Sequence, residues 1–289
     1  MKKYILIILT AVAVYAMPPL VDAQWLKSHI DDKDLVIVDV SSKKLYEKGH
    51  IQGSVNSPIQ MWRKKAGDHL VVKDSAAIEK EMRRLGISKD SKVVLYSHHD
   101  NGKDTLKPAY VLWAMEYHGF KNSAILDGGI VGWKESGGKI IKDSAKPKSG
   151  NFVAKRDESL VADLNEVKSS IGVSVLIDAR PPIYYFGAEK QKVLARAGHI
   201  PTAKSYFWRF SFKGDYIKNR SVLKQMLEDG LELDPKKPII TYCTGGLETS
   251  MNFFILHRLL GFEKVRLYDA SMKEWANRED TPMRKYRWE

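Results

Sequence analysis

Two stretches of this 289-residue chain run in parallel. The first half opens "LVDAQWLKSHIDDKDLVIVDV" and reaches Gly49-His50-Ile51; the second opens "LVADLNEVKSSIGVSVLIDAR" and reaches Gly198-His199-Ile200. In each, a helix-like segment leads to a β-branched run ending in Asp (Asp39, Asp178), and a loop then closes on the Gly-His-Ile block. Further on, "KVVLY" faces "PIITY", and helical runs end in His118-Gly119-Phe120 and Leu260-Gly261-Phe262. A strand, an Asp and a Trp six residues later follow in both halves (Asp127 and Trp133; Asp269 and Trp275). A period of roughly 140 residues is too long for a solenoid and suits a duplicated domain.

Within each half, short Val- and Ile-rich runs alternate with helical patterns. Unbroken apolar strands between helices predict a mostly parallel sheet covered on both faces. The polar stretch 142–160, with Pro147, Gly150 and little periodicity, reads as a linker. The expected architecture is therefore α/β, with domains over 17–141 and 161–289. Residues 1–16, "MKKYILIILTAVAVYA", have a basic start, an apolar run too short to span a bilayer and a small-x-small site at Val14-Tyr15-Ala16. That layout predicts a signal peptide, an exported, periplasmic chain and no stable membrane span after cleavage.

The formal net charge is +12, or +10 once Lys2 and Lys3 are removed with a segment that holds no acids. The lysines are scattered rather than aligned, so the charge favours small anions over nucleic acid. There is one cysteine, Cys243, so no disulfide forms within the chain. It follows the strand-like "PIITY" and precedes Thr244, Gly245, Gly246, Leu247, Glu248 and Thr249, where a helix begins. Ligands of open α/β sheets sit beyond the carboxyl ends of the strands. Two glycines let backbone N–H groups curl inward, and a helix start adds its positive dipole end. Such a loop predicts a partly exposed cysteine whose pKa is lowered. Glu248 opposes this unless it faces solvent or caps an N–H; otherwise the thiol is less acidic than the loop suggests.

These blocks, with Cys243, Gly246 and Thr249 spaced Cys-x-x-Gly-x-x-Thr and "YDASMKEW" near the end, resemble the rhodanese family. The likeness is to its tandem-domain thiosulfate and 3-mercaptopyruvate sulfurtransferases, from about Pro19 to Pro282. It implies two rhodanese-like domains, the first inactive because Ser97 stands in the place of the cysteine. It implies a Cys243 persulfide, a small anionic sulfur donor, and a thiophilic acceptor such as cyanide or a thiol, small or on a protein. No metal or organic cofactor is implied. Asp178 and Arg180 ("DAR") are expected to pair at a strand end near the active loop, where Arg180 either helps hold a donor anion or forms a structural salt bridge; Tyr184 and Arg196 are the further positions considered for holding a donor carboxylate. The loop after Cys243 lacks the Arg or Lys of many thiosulfate-preferring members, and Tyr184 stands where mercaptopyruvate enzymes place an arginine.

His50 and His199 recur in both halves, including the one without a cysteine, and are read as structural. His98, His99 and Asp100 lack spaced partner ligands and read as a solvated loop rather than a metal site. Phosphatases of a related fold need an Arg about six residues after the cysteine; position 249 is Thr. A thiol oxidoreductase would need a second cysteine. The competing class is a non-enzymatic exported protein that carries sulfur or docks a partner.

Overall fold

The computed structural model describes residues 17–100, 102–143 and 146–289. The expected signal segment, 1–16, lies outside the described residues. No helix among those described is long and apolar enough to cross a membrane.

Each half carries a parallel sheet, and the two have one topology. In the first, strands β1 (Leu20–Val21), β2 (Leu35–Asp39), β3 (Val55–Asn56), β4 (Lys92–Tyr96) and β5 (Ser123–Leu126) lie in the order β1-β5-β4-β2-β3. In the second, β6 (Val175–Asp178), β7 (Ala203–Ser205), β8 (Ile239–Tyr242) and β9 (Val265–Leu267) lie in the order β7-β6-β8-β9. A parallel bridge from Val161 to Leu267 adds the fifth position, matching β1 against β5. β4 and β8 are thus both central, and between each and its neighbour (β2 or β6) the strand order reverses. A residue just past such a strand lies where open α/β sheets place their ligands. Ser97 and Cys243 are those residues.

The duplicated blocks build equivalent corners. His50 stacks on Tyr46 with ring centroids 3.6 Å apart, and His199 on Tyr185 at 3.9 Å. Tyr96 Oη accepts the Ile51 N–H at 3.0 Å, and Tyr242 Oη accepts that of Ile200 at 3.1 Å. Both histidines are fully buried, and their Nδ1 atoms bond the carbonyls of Tyr46 and Tyr185. They order the loop before the next strand, as the recurrence predicts.

The two domains share one core. Helix Lys107–Tyr117 is buried from Pro108 to Tyr117, which explains its lack of a polar face. It packs on helix Leu247–Phe253, which continues in π-type turns through Phe254–Leu260. A continuous cluster runs from Val38 and Leu95 through Leu112 and Trp113 to Met251 and Phe254. At the rim of this contact Glu116 meets His257 at 3.4 Å and Arg258 at 3.2 Å. The segment between the domains docks on the first: Phe152 is buried, and Lys155 and Asp157 donate their N–H groups to the carbonyls of His118 and Tyr117.

A reciprocal clasp completes the interface. The first domain's hairpin, strands Arg63–Ala66 and His69–Val72, reaches the second domain, where Asp269 Oδ2 accepts the Val72 N–H at 2.7 Å. The second domain's hairpin, Phe212–Lys213 and Tyr216–Ile217, reaches back, and Asp127 Oδ1 accepts the Ile217 N–H at 2.9 Å. Asp269 and Asp127 are the Asp of the repeated Asp-to-Trp blocks.

Candidate active site

Strand β8 delivers Cys243 to the middle of the second domain's carboxyl edge. Residues 244–246 turn back, with Gly246 at φ +84° opening helix Leu247–Phe253. The backbone N–H groups of Thr249, Gly245 and Glu248 face the sulfur and favour its thiolate. From the next strand end, Ser271 Oγ accepts the Cys243 N–H at 3.1 Å and donates to the Tyr268 carbonyl at 2.6 Å. It also lies 4.0 Å from Cys243 Sγ. Ser271 has φ +54°, a left-handed conformation costly for a side-chain-bearing residue. The Met272 and Lys273 N–H groups bond the carbonyls of Cys243 and Thr244. The loop is held from both ends.

Two expectations about the thiol are overturned. Cys243 is 1% exposed rather than partly exposed, and its pKa is raised instead of lowered. Burial pushes it up to about 12, with the Glu248 carboxylate adding to the shift against the opposing N–H groups. Desolvation outweighs the amides here because the charged form would sit in an apolar core. Glu248 neither faces solvent nor caps the helix. It is buried, accepts from Thr244 Oγ1 at 3.3 Å and meets Lys103 of the first domain at 3.4 Å. Thr244 Oγ1 also lies 2.8 Å from Gln191 Oε1. Lys103 is 63% exposed, so its pairing is worth little.

Gly246 is required by space as well as by φ. A Cβ there would stand 2.0 Å from Asp269 Oδ1 and 2.8 Å from the Asp269 carbonyl oxygen. Gly246→Ala is expected to destabilise the fold by about 2–3 kcal/mol and to displace the loop. A melting curve and the reactivity of Cys243 towards a thiol reagent check this together.

The two arginines considered for holding a donor are otherwise engaged. Arg180 is 1% exposed; its Nε lies 2.9 Å from Asp178 Oδ1, and its Nη2 donates to the Gly198 carbonyl at 2.7 Å. It is a buried structural ion pair at the end of β6. Arg196 donates to the carbonyls of Ala276, Thr281 and Trp275 and to Thr281 Oγ1, at 2.6 to 3.2 Å, fastening the C-terminal segment. Tyr184 sits half-buried on helix Pro182–Phe186. Arg196→Ala is expected to cost about 2–4 kcal/mol through those four bonds. It should leave the KM for a sulfur donor unchanged, which melting and steady-state kinetics check.

The His98-His99 loop is not solvated. The His98 and His99 side chains are 9% and 8% exposed; His98 Nε2 lies 2.9 Å from Asp39 Oδ2, and His99 Nδ1 lies 3.2 Å from Asp215 Oδ1 across the interface. No group of three or more metal-ligating side chains occurs among the described residues.

The first domain supplies neighbours that sequence reasoning missed. Arg63 Nη2 donates to the Gly245 carbonyl at 2.6 Å and to the Leu70 carbonyl at 2.8 Å. Its guanidinium lies 4.6 Å from the Tyr110 ring centre and 3.6 Å from Asp269 Oδ1. Tyr110 donates its hydroxyl to Asp269 Oδ2 at 2.8 Å. A signal was available: Gly-Asp recurs at Gly67-Asp68 and Gly214-Asp215, each at the turn of a hairpin whose strands reach the other domain.

The Rhodanese-like domain family model matches residues 22–136 and 160–278. This chain belongs to the rhodanese family. The sulfur carrier protein TtuD of Thermus thermophilus is 32% identical over 94% of this chain and 98% of its own length. The thiosulfate sulfurtransferase of Corynebacterium glutamicum is 30% identical, covering 93% of this chain and 91% of its own. SseA of Escherichia coli, described as a 3-mercaptopyruvate sulfotransferase, superposes with a TM-score of 0.76 at 25% identity, over 88% of this rhodanese and 99% of SseA.

Proposed function

We propose that this rhodanese is an exported sulfurtransferase that moves sulfane sulfur from thiosulfate or 3-mercaptopyruvate to a thiophilic acceptor through a persulfide on Cys243. One observation carries the reading: the chain's single cysteine ends the central strand of the second sheet, with three backbone N–H groups facing its sulfur. Cys243 thiolate attacks the outer sulfur of thiosulfate, the S–S bond of the donor breaks, and sulfite leaves with the bonding electron pair. The enzyme then carries Cys–S–S⁻. Cyanide attacks the outer sulfur, forms thiocyanate and returns the thiolate, so no external oxidant or reductant is needed.

The resting thiol is protonated at neutral pH. Each unit between the pH and its pKa costs about 1.4 kcal/mol to reach the thiolate. Forming the nucleophile therefore requires that the proton pass to water or to the donor. Once the sulfur carries charge, the loop N–H groups hold it without reorganising.

Burial of the thiol also supports a second reading, a sulfur carrier that loads once and discharges slowly to a partner protein. Steady-state sulfur transfer to cyanide, with thiosulfate and mercaptopyruvate in parallel, separates the two. Multiple turnover with either donor supports the enzyme; a persulfide that forms without turnover supports the carrier. Neither turnover nor persulfide, in folded protein with a free thiol, rejects both.

A further inference from the structure

We infer that Arg63, in the domain that has no cysteine, is a positioning residue of the Cys243 loop. The inference rests on the sulfur-transfer reading and adds a residue that reaches the loop from 182 positions away. Gly245 is held on both sides: its N–H, in the peptide unit with Thr244, faces the Cys243 sulfur, while its carbonyl, in the next peptide unit with Gly246, is taken by Arg63 at 2.6 Å. Fixing the carbonyl restricts how the loop can rotate, and so holds the neighbouring amides on the sulfur. Charge-assisted bonds of this kind are short and directional.

The pseudo-symmetry of the molecule supplies an internal comparison. On the first hairpin Arg63 is the cross-strand partner of Val72, whose N–H bonds Asp269. On the second hairpin Phe212 is the partner of Ile217, whose N–H bonds Asp127. The clasp is the same on both sides, but the arginine occurs only on the hairpin that faces the cysteine. The hairpin facing the Ser97 loop has a phenylalanine there, with the Arg209 guanidinium 5.6 Å from its ring.

The setting is also costly for a residue that only glues the domains. The Arg63 side chain is 10% exposed, and its Nε is buried with no hydrogen-bond partner among the described residues. Asp269 Oδ1, on the same side of the loop, is likewise without one. Unmatched buried polar atoms weaken a purely structural contact. Beside a loop that acquires negative charge, a desolvated guanidinium gains from that charge instead.

The test uses the full chain and two variants. Arg63→Met keeps an unbranched apolar side chain at this position but removes the guanidinium that lies over Tyr110, with every donor and the charge. Its Cys243 is expected to react about tenfold more slowly than wild type with a small uncharged alkylating reagent at each pH from about 7 to 10, equivalent to one pKa unit. Its kcat for sulfur transfer should fall at least tenfold, with KM for the donor within about twofold. An alkylation profile equal to wild type, or a faster one showing that Arg63 merely covers the thiol, overturns the inference. Should Arg63→Met fail to fold, Arg63→Lys keeps a cation against Asp269 but loses the planar fork. A kcat at least about fivefold below wild type at an unchanged melting temperature supports positioning, and a wild-type kcat overturns it. If wild-type protein itself transfers no sulfur, the proposed function fails, while the alkylation profiles still decide the role of Arg63.

Discussion

Cys243→Ser is expected to lower sulfur transfer by more than about 10⁴-fold, because the variant lacks the only atom in the chain that can form the covalent intermediate. The fold should survive. Serine is slightly smaller than cysteine, and Ser271 Oγ stands 4.0 Å from the sulfur it replaces. Placing a hydroxyl in a site 1% exposed still costs about 1–2 kcal/mol, more than an exposed loop position would. Thiocyanate production and a denaturation curve on the same preparation separate the two effects. Residual turnover near wild type would remove Cys243 from the reaction.

Asp269→Ala carries the largest expected loss of stability. Its Oδ2 accepts from Tyr110 and from the Val72 N–H, and its Oδ1 lies 3.6 Å from Arg63. Burial pushes the Asp269 carboxyl up, and the Arg63 guanidinium opposes that shift, so charge and partner depend on each other. Truncation leaves a guanidinium and two donors buried across the domain interface, a loss of about 3–5 kcal/mol. For a chain of this size that corresponds to a fall of about 10 °C in melting temperature. Asp127→Ala, at the pseudo-equivalent position, frees the Ile217 N–H without leaving a buried cation and should cost about 1–2 kcal/mol. Equal losses at the two sites would contradict the asymmetry assigned to the clasp.

The features legible in the sequence are those encoded locally and written twice. The strands show as short β-branched runs, and the Tyr–His corners follow from Gly-His-Ile recurring in a half that lacks the cysteine. Cys243 stood out because a strand, a glycine pair and a helix start are adjacent along the chain. What the sequence hid depends on distance. The Asp178–Arg180 salt bridge was one of two readings of adjacent residues, and burial decides for it; Arg196 looked available for an anion, yet the C-terminal segment occupies it. The glycine nest argued for an acidic thiol, but the packing of helix Lys107–Tyr117 and the first hairpin buries the loop, and that desolvation reverses the sign. Glu248 and Lys103 meet only after the domains dock, as do Arg63 and Gly245. A site completed by a second domain is invisible to reasoning that treats each domain's residues separately.

The most direct test is the intact mass of the protein after brief exposure to thiosulfate and removal of excess donor. The expected result is the added mass of one sulfur atom, mapped to Cys243, absent in Cys243→Ser and discharged by cyanide with stoichiometric thiocyanate. A folded protein with a free thiol that gains no sulfur, or gains it at a residue other than Cys243, would contradict it.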